Sequence, residues 1–77
     1  MKVKVKLFAT LQRYGASEQT LELPEGSTVQ DVIERLNIPK DIPLLRILNA
    51  VHVKPEQPLK DGDTLALFPP IAGGSTL

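Results

Sequence analysis

Val29, Val32, Ile33 and Leu36 recur at i, i+3, i+4 and i+7, which gathers four apolar side chains on one face of a helix. Just before them Ser27 or Thr28 supplies an N-cap hydroxyl, and Ser27 and Gln30 stand at capping-box spacing. Asp31 and Arg35 pair at i, i+4 on the polar side, and Pro39 sets the latest stop. A helix apolar on one face must bury that face against another element. Most of the remaining chain is strand material, so the constraint is severe: one main helix covers one side of one sheet.

The strands are read by parity. In residues 2–8, Val3, Val5 and Leu7 point one way and Lys2, Lys4, Lys6 and Phe8 the other. Residues 9–14 contain good helix formers ending at Gly15, which predicts one or two helical turns with Leu11, and secondarily Tyr14, inward. Residues 18–23 alternate again, with Leu21 and Leu23 on one side, until Pro24-Glu25-Gly26 stops them. The apolar run from Leu44 to Val53 predicts strands near 45–49 and 51–53 about a turn at Asn49-Ala50. Its parity is ambiguous, because both faces read as apolar. After the turn Lys60-Asp61-Gly62-Asp63 comes a last strand, Thr64 to Phe68, and Pro69-Pro70 ends the sheet because proline cannot donate to the ladder. This order predicts an α+β roll: a mixed sheet of about five strands on one main helix plus a short helix. Adjacent, parallel first and last strands are consistent with it. Residues 1–70 form the domain, and 71–77 a flexible tail with nothing to anchor it.

Seventy-seven residues support one small core, so no self-contained active-site cleft is expected. Nine Lys+Arg balance nine Asp+Glu, which argues against a general nucleic-acid binder. Cysteine is absent, excluding disulfides, thiolate catalysis and Cys-ligated metals. No targeting segment or membrane span is read, and a cytoplasmic location is expected. His52, the only histidine, has no Cys partner and is a poor metal candidate; it reads as a surface or interface residue. Asp61-Gly62-Asp63 lacks the other carboxylates of a calcium loop and reads as a turn. Ser27 and Thr28 have no His/Asp pair to make them nucleophiles. The Lys2, Lys4, Lys6 stripe reads as a solvated strand face, with steering of an acidic partner as the other reading. Thus no catalytic residue is assigned and no bound cofactor is expected.

Two segments carry a family resemblance: Val3 to Leu11, an opening strand running into a helix, and Leu59 to Gly74, in which an Asp-Gly-Asp turn and short strand lead into Phe68-Pro-Pro-Ile-Ala-Gly-Gly74. Over residues 1–74 the chain resembles the ubiquitin-like β-grasp sulfur carriers of the MoaD/ThiS family, and its ending looks more like the molybdopterin branch than the thiazole branch. The resemblance implies a β-grasp fold and a carrier that is not itself an enzyme. An E1-like adenylating enzyme would consume ATP to activate the carboxylate of Gly74, next to Gly73, and sulfur would then replace AMP to give a thiocarboxylate. A molybdopterin synthase large subunit, or a similar acceptor, would receive the sulfur. The family's docking surface falls on Phe8 and Phe68, with His52 at a third position often apolar in relatives, and its tail on Pro70, Ile71 and Ala72. Glycine, lacking a Cβ, suits an end threaded through a narrow channel. Five extended residues, Pro70 to Gly74, reach at most ~17 Å.

The chain departs from the family pattern after Gly74, where Ser75, Thr76 and Leu77 follow. Adenylation needs a free carboxylate on the glycine. Trimming by a processing protease is the favoured reading; an addition foreign to the natural protein and a lost carrier function are the others. Two further functions stay open: a ubiquitin-like modifier joined to lysines through Gly74, and a β-grasp interaction module whose tail is never activated.

Overall fold

A computed structural model describes residues 1–70. The elements run β1 (Lys2–Leu7), a 3-10 helix (Ala9–Tyr14), β2 (Glu18–Glu22), α1 (Val29–Arg35), β3 (Leu45–Leu48), β4 (Val51–His52) and β5 (Thr64–Phe68). The five strands form one mixed sheet in the order β2-β1-β5-β3-β4. β1 and β5 lie parallel at its centre, with Val5 opposite Leu65 and Leu7 opposite Leu67, and every other pairing is antiparallel.

Hydrophobic alternation in β1 builds the core. Val3, Val5 and Leu7 are buried, as are Leu65 and Leu67 beside them on β5. Val29, Val32 and Ile33 of α1 are buried in the same cluster, while Leu36 is half-buried at the rim. At about 25 cal/mol per Å² of apolar surface removed from water, this one layer is the main force holding the sheet closed on the helix.

Of the two N-cap residues the sequence offers, Thr28 takes the role, and the capping box is Thr28–Asp31 in place of the expected Ser27–Gln30: the Thr28 hydroxyl accepts from the Asp31 N–H, and Asp31 accepts from the Thr28 N–H at 2.8 Å. Ser27 is buried and donates its hydroxyl to the Pro24 carbonyl at 2.7 Å, so it closes the preceding turn instead. The next helix donors are met by the loop before β5, Val29 N–H by the Gln57 carbonyl and Gln30 N–H by that of Pro55. At the other end Asn37 takes φ 61, its N–H bonds the Glu34 carbonyl, and Ile38 N–H bonds that of Ile33. These bonds form a Schellman stop with buried Ile38 packed back on the core, three residues before the proline can act.

The short helix is 3-10, not α. Seven residues between β1 and Gly15 are too few for a stable α-helix, and the Leu11 N–H bonds the Phe8 carbonyl three residues back. Leu11 is buried and Tyr14 half-buried, as their spacing implied. The β3–β4 hairpin turns on Asn49 (φ 49) and Ala50 (φ 70), the two positive φ values of a type I′ turn. Asn49 then ties the hairpin to β5: its side chain donates to Asp63 at 2.9 Å and accepts from Thr64 N–H at 3.0 Å. In the turn before β5, Asp61 accepts from Lys2 N–H, Asp63 accepts from Lys60 N–H, and Gly62 takes φ 88. Both carboxylates are thus turn braces.

Candidate functional site

The sheet has one face under α1 and one without a covering helix. Phe8 reaches the uncovered face because its N–H donates to the Leu67 carbonyl at 3.2 Å, which carries the parallel ladder one residue past β1. Its ring stacks on Phe68 with centroids 4.2 Å apart and planes 9° from parallel. Immediately afterwards Ala9 adopts φ 54, a left-handed conformation that costs a non-glycine residue about 1 kcal/mol or more, and the chain leaves the sheet. Phe8 remains 36% exposed despite the stacking, as the larger half of an aromatic pair facing solvent.

The β3 register extends this patch. Leu45 pairs with Phe68 and Ile47 with Ala66, so Leu45 and Ile47, both half-buried, share the aromatic face. Sequence reasoning missed both. The one signal that would have found them is Arg46, whose charge breaks the apolar run. Even that misleads, because Arg46 pairs with Leu67 and so lies on the helix-side face, where it donates to the Leu44 carbonyl at 3.3 Å. His52 pairs with Ile47 and sits exposed on the same outer face.

Charge divides this face into two halves. On the β2 side Lys2 opposes Glu22, Lys6 opposes Glu18, and the Lys4 ammonium lies 3.4 Å from Glu18. That exposed pair is worth at most about 1 kcal/mol. On the β5–β3 side the outward residues are Ala66, Phe68, Leu45 and Ile47, with Thr64 at the start of β5. Contiguous apolar surface bounded by charge is the usual composition of a protein-docking patch.

Phe8, Phe68 and His52 are therefore brought onto one face. Pro70 is exposed two residues beyond Phe68. Ile71, Ala72, Gly73 and Gly74 lie outside the described residues. Among the described residues no group of three or more His, Asp or Glu side chains is placed to hold a metal. No helix among them is long and apolar enough to cross a membrane. A groove of about 530 Å³, open to solvent, lies on the helix side between α1 and the segment from Pro39 to Arg46, away from the aromatic pair.

Known proteins are similar to this chain over nearly its whole length. The molybdopterin synthase sulfur carrier subunit of Chlamydomonas reinhardtii is 33% identical over 85 residues, covering 96% of this chain and all of the relative. The solved structure of molybdopterin converting factor subunit 1 from Pyrococcus furiosus superposes with a TM-score of 0.78 at 34% identity, covering 92% of this chain and 99% of that one. The small archaeal modifier protein 1 of Methanosarcina acetivorans superposes with a TM-score of 0.74 at 28% identity, covering 95% and 96%. The ThiS family pattern matches residues 5–74, from the core of β1 through the glycine pair. A mixed β-grasp sheet on one helix, an aromatic pair at the end of β5 and that match lead to one conclusion: the chain belongs to the ThiS family.

Proposed function

We propose that this protein is a sulfur carrier for molybdopterin synthesis, acting as the small, non-catalytic subunit beside a large subunit that holds the chemistry. The observation that carries the reading is the stacked Phe8–Phe68 pair on an otherwise apolar half-sheet, with Pro69-Pro70 leading directly from it into the Gly-Gly tail. A docking patch at the root of a reactive tail lets the partner hold the domain while the terminal group enters its active site. The relatives named as a sulfur carrier subunit and a converting factor subunit support the same role.

In this reading the Gly74 carboxylate attacks the α-phosphorus of ATP on an E1-like enzyme, giving an acyl-adenylate and pyrophosphate. A sulfide-level donor then attacks the carbonyl carbon, AMP leaves, and a thiocarboxylate remains. ATP is consumed by that partner and no cofactor is held by the carrier. A protease first removes Ser75 to Leu77, and the steps take place in the cytoplasm. Proline at positions 69 and 70 restricts the tail base, which lowers the entropy lost on threading.

Pyrophosphate release tests the reading, with the host's E1-like enzyme and ATP added to two forms of the chain. The form ending at Gly74 is expected to support release and the form ending at Leu77 is not. Equal release from both would remove the need for trimming, and release from neither would contradict activation at Gly74. Similarity to an archaeal modifier protein favours a second reading, conjugation through the same activated Gly74. Isopeptide-linked adducts in host extracts would establish that one.

A further inference from the structure

One rung of the outer face runs across four strands. Lys6 on β1 pairs with Ala66 on β5, Ala66 with Ile47 on β3, and Ile47 with His52 on β4. Three strand spacings separate its ends by about 14 Å. The middle of the rung is apolar and continuous with Phe68 and Leu45, and a hydrogen-bond donor stands at each end. Lys6 is half-buried, and no ion pair to it is present among the described residues, because the Glu18 carboxylate opposite leans to Lys4. His52 is exposed and carries an N–H donor in either neutral tautomer. No carboxylate lies on the outer face of β5, β3 or β4, whose outward residues are Thr64, Ala66, Phe68, Leu45, Ile47 and His52.

A partner that covers the aromatic pair also strips water from Lys6. A desolvated ammonium is costly unless an opposite charge meets it, and the outer face of β5, β3 and β4 supplies no carboxylate. We infer that Lys6 and His52 are the specificity-determining residues of the docking surface. The surface selects a protein partner that lays an apolar segment between them, with a carboxylate opposite Lys6 and a hydrogen-bond acceptor opposite His52. The inference rests on the carrier reading and adds to it the chemistry of the partner's face. Apolar contact supplies affinity, while the two flanking donors fix the register in which the tail is presented. Lys4, already engaged by Glu18 and one rung away, takes no part.

The test uses the full chain and the molybdopterin synthase large subunit of the same host. Dissociation constants are measured across a range of salt for the unaltered chain and for Lys6→Met, Lys6→Arg, His52→Leu and Lys2→Met, with a melting curve for each. Lys6→Met keeps the stem and removes the charge; it is expected to weaken binding about tenfold, equivalent to about 1.4 kcal/mol, and to flatten the salt dependence. His52→Leu weakens binding by a smaller factor without flattening the salt dependence, Lys6→Arg restores the Lys6 effect, and Lys2→Met, which leaves the Lys4–Glu18 pair intact, matches the unaltered chain. Lys6→Met and His52→Leu binding as the unaltered chain does would overturn the inference and leave the carrier reading intact. A loss at one position only would overturn the two-donor arrangement. An equal loss in Lys2→Met would reduce the effect to general charge. No binding by the unaltered chain would overturn the inference together with the large-subunit partnership.

Discussion

Phe68→Ala separates the two jobs a surface aromatic can do. Phe68 lies on the outer face, half-buried, with its ring against Phe8 at 4.2 Å and Leu45 as its cross-strand neighbour. A stacked aromatic pair contributes about 0.5–1.5 kcal/mol beyond its area. Some partly buried apolar area is lost as well, so the free domain should lose about 1–2 kcal/mol. For a domain of this size that is a melting-point drop of roughly 4–16 °C, at about 4–8 °C per kcal/mol. A core phenylalanine would cost about 3–5 kcal/mol. Partner binding should suffer more: truncating a central aromatic anchor commonly costs about 2 kcal/mol or more, near thirtyfold in affinity. The assays are a thermal melt of the isolated chain and a titration with the large subunit, each repeated with Phe8→Ala and the double variant. Because the rings touch, the two single effects should not add. A stability loss in the core range with unchanged affinity would refute the assignment and make the pair a packing element.

Leu65→Ala, at a fully buried position in the central strand, should cost about 2–5 kcal/mol by chemical denaturation, a large share of the stability of so small a domain. A midpoint within error of the unaltered chain would show that the core is not centred on β5. Thr28→Ala removes the hydroxyl half of the capping box and should cost about 1 kcal/mol, whereas no loss would return the cap to Ser27. Asn49→Asp keeps the acceptor for Thr64 N–H but sets a carboxylate against Asp63 in place of a donor; a loss of about 1–3 kcal/mol at neutral pH is expected in a denaturant melt. An unchanged midpoint would show that this side chain does not tie the hairpin to β5.

The legible parts of the fold were those where one physical signal had no rival. In β1 lysine alternates with valine and leucine, so period and face were fixed together, and the helical stripe of Val29, Val32 and Ile33 admits no strand reading. The 45–53 segment had rivals. It carries apolar residues on both faces, Leu48 under α1 and Leu45 and Ile47 beside Phe68 on the other, so parity could not be assigned and Leu45 and Ile47 went unseen as candidate site residues. The helix ends turned on near-equivalent chemistry. Ser27 and Thr28 are both capping residues, each followed three positions later by a polar side chain, and only the tertiary bond from Ser27 to the Pro24 carbonyl decides between them. Asn37 ended the helix through a left-handed residue, a weaker signal in sequence than the proline two positions later. Phe8 and Phe68 were readable because large aromatics broke the polar alternation of their faces. The strain at Ala9, which takes the chain out of the sheet just after Phe8, leaves no trace in residue type.

The central claim is that Gly74 becomes the reactive end of this chain. The intact mass of the untagged protein purified from its native host tests it most directly. The account predicts a chain ending at Gly74, with a fraction heavier by the exchange of one carboxylate oxygen for sulfur. A chain ending at Leu77 under every growth condition would contradict it and leave a β-grasp interaction module whose tail is never activated.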